Sequence, residues 1–164
     1  MGYYGTWFDD ERLRKVVLPM TLPLNDQVLS SFRFEFDPVN KILLLRVEGR
    51  ITDSVQETLY STARKYWAAT GARAGIADYS GVTDFAVSGN LVLVLAQQKP
   101  PMPDPATMPL FIVMPTLGAY GLGRMFQLAS ESSLPLVHVV RALNEALAAL
   151  GVHSPQFQPP RDLT

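Results

Sequence analysis

The sequence contains no cysteine and only two histidines, His138 and His153. The first absence excludes a nucleophilic thiol, a disulfide and a thiolate metal site. The second leaves two imidazoles without paired spacing, too few for the usual zinc constellations, so neither a metal nor a cofactor is expected. An excess of charge of one sign is also missing: 14 basic residues stand against 15 acidic ones, a formal net charge of −1. With no basic stripe there is no footprint for phosphate neutralisation, and nucleic acid is not an expected partner. Long apolar runs are lacking too. The longest uncharged stretch, residues 105–123, is broken by Pro109, Pro115, Gly118 and Gly121, and cannot run as one spanning helix. The first residues carry Asp9, Asp10, Glu11 and Arg12 where a signal peptide needs an apolar core. A cytoplasmic protein without a membrane span is the expectation.

What is present is enough apolar material to fold. Apolar residues make up 48% of the 164 and charged residues 18%, which suits one domain with a sizeable core. Three zones follow: an N-terminal extension over 1–30, a compact domain over 31–151, and a C-terminal tail over 152–164. The tail is rich in proline and polar groups and is expected to be loose. The extension holds Tyr3, Tyr4, Trp7, Phe8, Val16, Val17, Leu18 and Leu22 without clean periodicity. So many large apolar groups are expected to pack on the domain or on a partner.

The compact zone alternates strand and helix signals. Phe32, Phe34 and Phe36 alternate with Arg33 and Glu35 as in a half-buried strand, and 37–40 (DPVN) reads as a turn. Residues 41–48 (KILLLRVE) then form a second strand, antiparallel to the first, and Gly49 releases the chain. A helix over 53–70 starts with Asp53 and Gln56 spaced as a capping box, with Asp53 in the cap role. Val55, Leu59, Ala63, Tyr66 and Trp67 share its inner face, and Gly71 supplies the left-handed stop. Residues 74–79 read as a short strand ending in a Ser80-Gly81 turn, with a loop over 82–87. The apolar run Leu91 to Leu95 fits a helix over 88–98, though its pattern alone also fits a strand. Residues 110–114 make a buried strand, 119–130 a helix, 136–140 the last strand, and 142–150 a last helix that Gly151 caps. The fold class is therefore α/β: a mixed, mostly parallel five-stranded sheet with four helices in the order ββαβαβαβα.

This order, together with Asp78-Tyr79-Ser80-Gly81-Val82-Thr83-Asp84-Phe85-Ala86-Val87-Ser88-Gly89, resembles the STAS domain family. The family includes the bacterial anti-sigma-factor antagonists and the cytoplasmic tails of sulfate transporters. A strand there ends in a pattern like D-L-S-x-V-x-x-hydrophobic-D-S-S-G, whose second serine opens a helix and, in the antagonists, is phosphorylated to change affinity for a kinase. Asp78, Ser80, Val82, Phe85, Ser88 and Gly89 fit. Ala86 and Val87 stand where the family has its acid and first serine. RFEFDP with LLLRVEGRIT, and AYGLGRMFQ with VHVVRALNEALAALG, look closer still to the divergent SpoIIAA-like branch. The resemblance implies a STAS-like domain, a non-catalytic regulatory or interaction module, with a kinase or regulator as partner. Kinship of that branch to lipid carriers implies another use, a pocket for a small apolar or lipid-like ligand.

The candidate residues read two ways. Ser88 is a switch site by resemblance, and by its position the N-cap of the following helix. Asp78, Ser80, Asp84, Phe85, Gly89 and Asn90 surround it as a switch loop, or serve as turn and capping groups. Phe85, Leu91, Leu95, Met114, Met125 and Phe126 are candidates for an apolar pocket with adaptable methionine walls. Val92, Leu93 and Val94 offer more apolar surface than one helix face buries, which points to a homodimer. The spacing of Gly118, Gly121 and Gly123 matches neither dinucleotide nor phosphate-loop patterns, and reads as close packing or a loop before a helix. No nucleophile elbow supports a triad of Ser88, His138 and Asp78, so no catalytic residue is assigned.

Overall fold

The computed structural model describes residues 30–161; the aromatic extension, with its expected packing, lies outside the described residues. The chain runs β1 (Ser30–Asp37), β2 (Ile42–Thr52), α1 (Asp53–Thr70), β3 (Ala74–Ala86), α2 (Gly89–Gln97), β4 (Leu110–Val113), α3 (Leu117–Ala129), β5 (Val137–Val140) and α4 (Leu143–Ala149). The strands lie in sequence order, β1 antiparallel to β2 and the rest parallel. This is the expected α/β class with five strands and four helices. Among the described residues no helix is long and apolar enough to cross a membrane.

A parallel sheet that grows always in one direction through right-handed crossovers places its connecting helices on one face. Accordingly α1, α2 and α3 share one core with Phe34, Leu45, Ile112 and Met114 of the sheet. The opposite face has its own smaller core, where Ala146 of α4 packs with Ile42, Leu44, Ile76 and Phe111. Toward the other end of that face the apolar residues give way to an ionic ladder. Arg33 pairs with Glu35 at 2.9 Å and Glu48 at 3.1 Å, and Arg46 bridges Glu35 at 3.2 Å and Asp78 at 3.4 Å. Burial works against the Arg33 charge, but those two carboxylates more than offset it and hold the guanidinium's pKa up.

Four expectations are corrected. Gly49 does not end β2: it takes φ 82°, the ladder shifts beside it, and the strand continues to Thr52. Ser80-Gly81 is not a turn, and 82–87 is not a free loop, because β3 runs on to Ala86 beside β2. Gly81 is small because β2 passes close by: a Cβ there would lie 2.7 Å from the Glu48 Cγ and 3.0 Å from the Val47 carbonyl oxygen. The capping box is differently used. Thr52 is the N-cap of α1, accepting from the Val55 amide, while Asp53 and Gln56 both reach to other elements. Finally, the tail is docked as far as Gln158. The Asp37 carboxylate accepts from the Gln156 amide at 2.9 Å, and Phe36 and Gln158 exchange backbone hydrogen bonds at 2.8 and 3.1 Å. Val152 and Phe157 add apolar contact to the outer core. Polar composition suggested looseness, but here the tail supplies the partners that an edge strand otherwise leaves exposed.

Candidate functional site

Between the sheet and its three crossover helices lies a cavity of about 100 Å³. Its floor comes from alternate strand residues, Phe34, Leu43 and Leu45 on the hairpin and Ile112 and Met114 further across. Helix phase builds the walls. Leu59, Tyr60, Ala63 and Trp67 recur at three- and four-residue steps on α1, Val92 and Leu95 on α2, and Leu122 and Phe126 on α3. Gly123 lets α3 settle onto the sheet, since a Cβ there would stand 3.0 Å from Val139 and 3.2 Å from Met114. Gly75 makes room for the Trp67 ring in the same way, and a side chain there would collide with it.

No charged residue lines this space among the described residues. Its polar side chains are few, and of their buried atoms all but one have a partner among the described residues. Trp67 donates its indole N–H to the Ala72 carbonyl at 3.0 Å, and Tyr79 donates to the Gln56 amide oxygen at 3.0 Å. Burial pushes the Tyr79 phenol up to about 12, against the pull of that hydrogen bond, so it stays a neutral donor. The exception is Tyr60, whose hydroxyl is buried without a partner among the described residues.

A second feature lies beside the cavity. The Asp53 carboxylate accepts from the Ser88 amide and from the Ser88 hydroxyl, both at 2.7 Å. The same hydroxyl accepts from the Leu91 amide at 3.1 Å, so Ser88 is the N-cap of α2 and is clasped to the start of α1. Its side chain faces solvent. Two residues of the cavity lining, Gln56 and Val87, lie close in sequence to the two halves of this clasp.

The expected switch residues separate into three places. Asp78 holds Ser80, backbone and hydroxyl, and faces Arg46 in the ionic ladder. Asp84 pairs with Arg50 at 3.0 Å on an exposed edge. Phe85 turns into the cavity against Tyr79, with ring centroids 5.5 Å apart. Gly89 and Asn90 form the first turn of α2, with Gly89 close to Met125. Of the six expected pocket residues, Phe85, Leu95, Met114 and Phe126 line the cavity and Leu91 and Met125 do not. Each of those two lies one residue from a lining position, Val92 and Phe126, and is rotated about 100° around its helix. The glycines at 118, 121 and 123 lie inside α3, which Thr116 caps by accepting from the Ala119 amide. His138 stacks on Phe111 at 4.9 Å, while Ser88 and Asp78 are engaged elsewhere, so the three do not form one constellation. No group of three or more metal-ligating side chains occurs among the described residues.

Sequence reasoning missed Tyr60, Trp67 and Gln56 as lining residues. The signal existed: positions 60, 63 and 67 follow helical spacing, but Tyr60 adjoins Leu59 and falls at the margin of the apolar stripe. What the chain defines by fold is a mostly parallel α/β domain with an apolar cavity between its sheet and helices. No protein-family model matches the chain, and no curated protein matches it.

Proposed function

We propose that this protein is a binding module that takes a compact apolar molecule into the cavity between its sheet and α1, α2 and α3. The observation that carries the reading is the cavity, with its uncharged, mostly apolar lining. Size narrows the ligand. Pockets for drug-sized molecules span roughly 300–1,000 Å³, whereas an engineered cavity of about 150 Å³ already accepts benzene. A space of about 100 Å³ therefore suits a ring or branched chain of a few carbon atoms, and a whole lipid would require the helices to part.

Titration with cyclopentane, followed by NMR of labelled methyl groups, tests the reading. Shifts are expected on Leu95, Ile112, Met114 and Leu122, with a higher Tm as ligand is added. Unchanged methyl signals at saturating hydrocarbon would overturn it.

A second reading, a regulatory interaction module of the anti-sigma-factor-antagonist kind, is favoured by the α2 surface. Ser88 is accessible at the start of that helix, and Leu93 and Val94 are 43% and 45% exposed on it, offering a contact for a kinase, a regulator or a second copy. Val92, once grouped with them, is buried. A phosphate of about −1.5 to −2 charge on Ser88 would face the Asp53 carboxylate. The clasp would then open by repulsion, which gives a switch its physical means.

A further inference from the structure

The middle strand of the sheet carries small residues where the cavity lies. Gly75 and Ala77 of β3 both line it, and Ala77 stands in register between Leu45 of β2 and Ile112 of β4. The place above Gly75 is taken. The edge of the Trp67 ring lies where a side chain would be, and the indole N–H holds the ring there through the Ala72 carbonyl. Ala77 has no such cover. Leu45 and Ile112 are each 7% exposed and Tyr79, two residues on, is 5% exposed, yet Ala77 between them is only half-buried. Strands flank it on both sides and its methyl group packs with the inner core, so the surface it leaves open belongs to the cavity. A middle strand with helices over it is normally well buried along its length. Here a water-sized molecule can reach the sheet, because one methyl group is all that position 77 contributes to the packing.

We propose that Ala77 is the seat of the bound molecule and the residue that sets its size. The inference rests on the cavity being a binding site, and it narrows what that site takes. Along β3 an aromatic ring stands at either end of the seat, Trp67 over Gly75 and Tyr79 beside Phe85. Positions 75 and 79 lie about 13 Å apart at about 3.3 Å per residue, and the two rings occupy part of that length. Across the sheet, Leu45 and Ile112 stand on the neighbouring strands, about 4.8 Å to each side. A single unfused ring fits on such a seat. Two fused rings overrun it, and so does a long acyl chain.

Cyclopentane binding to the wild type and to Ala77→Val forms the test. In wild type with labelled alanine methyl groups, intermolecular NOEs from bound cyclopentane to the Ala77 methyl are expected, a readout that depends on no variant. Ala77→Val adds two methyl groups over the seat and suits a strand. The affinity for cyclopentane should then fall about tenfold or more. The Tm of the ligand-free variant should be no lower than that of wild type, because the added groups enter open space. Decalin, two fused saturated rings, should not displace cyclopentane from wild type. If cyclopentane binds wild type without an NOE to Ala77, or binds Ala77→Val as tightly, the seat lies elsewhere and this inference is overturned alone. A Tm several degrees lower in Ala77→Val, or displacement by decalin, has the same consequence, since residue 77 would then have no free space above it or would not set the size. If cyclopentane does not bind wild type at all, the cavity reading falls and takes this one with it.

Discussion

Asp37 and Tyr60 are both buried polar groups on the sheet-and-helix framework, and their surroundings could hardly differ more. Asp37 is fully buried on the outer face, and its two oxygens accept four hydrogen bonds. The backbone amides of Val39, Asn40 and Gln156 each donate at 2.9 Å, and the Asn40 side chain at 2.7 Å. Tyr60, on the inner face, donates to nothing among the described residues. The first group closes the hairpin turn and pins the tail to it, so every lone pair is spent on structure. The second takes no part in holding the described chain together. A polar group buried and satisfied reads as architecture; one buried and unsatisfied is a group the fold carries without using.

The comparison breaks most visibly at Asp37. Asp37→Ala strips an acceptor from four donors at once and frees both the turn and the tail, and a loss of about 3 kcal/mol in urea unfolding is expected. Acid adds a second handle. Burial by itself would push the Asp37 carboxyl up, but the donors from Gln156, Asn40 and Val39 outweigh it and hold the pKa below 3.8. The fold therefore favours the charged form. Its contribution is complete above the ordinary carboxyl range and is lost as pH falls below about 3.8 toward the lowered folded value. Asp37→Asn should flatten that part of the stability profile, and a profile identical to wild type would remove Asp37 from its architectural role.

Much of this framework is legible in the sequence, and the parts that are not share a cause. Alternation at Phe32 and Phe34, the stop at Gly71 (φ 66°) and the apolar run Leu110 to Val113 report local geometry, and local geometry is what spacing encodes. The DPVN turn was readable too, but not that its aspartate would also hold Gln156, 119 residues away in sequence. Asp53 misled for the same reason: its spacing from Gln56 suits a capping box, yet its carboxylate goes to Ser88, 35 residues on. Gly81 reads as a turn residue until β2 is placed against it. The apolar side chains of the cavity were found in part: Leu91 was expected where Val92 lines the space, and Met125 was expected beside Phe126, each one residue out of helix phase. A void is invisible to composition altogether, being a property of how three helices meet a sheet.

Ser88 falls between the two extremes, exposed yet bonded on both sides, and it sharpens the comparison at a smaller scale. Ser88→Ala removes the cap on the Leu91 amide and one of the two bonds to Asp53, while the backbone bond from residue 88 to Asp53 survives. A loss of about 1 kcal/mol is expected, with an unchanged denaturant slope. A loss near zero would show that the fold does not need this hydroxyl, and would shift its meaning toward the signalling reading.

The smallest effect belongs to Tyr60, and its sign is the informative part. Tyr60→Phe keeps the ring against Phe126 and deletes only a hydroxyl that pairs with nothing. Removing an unsatisfied buried group should leave the ligand-free protein as stable as before, or more stable by up to about 1 kcal/mol. The same change at Tyr79 breaks its bond to Gln56 and should lower stability by a similar amount. Thermal unfolding of the two variants in ligand-free buffer therefore sets a paired contrast, a Tm unchanged or raised at position 60 and lowered at position 79. If Tyr60→Phe instead lowered the Tm as much as Tyr79→Phe, its hydroxyl would be a structural group like the carboxylate of Asp37, and the distinction between the two faces would collapse.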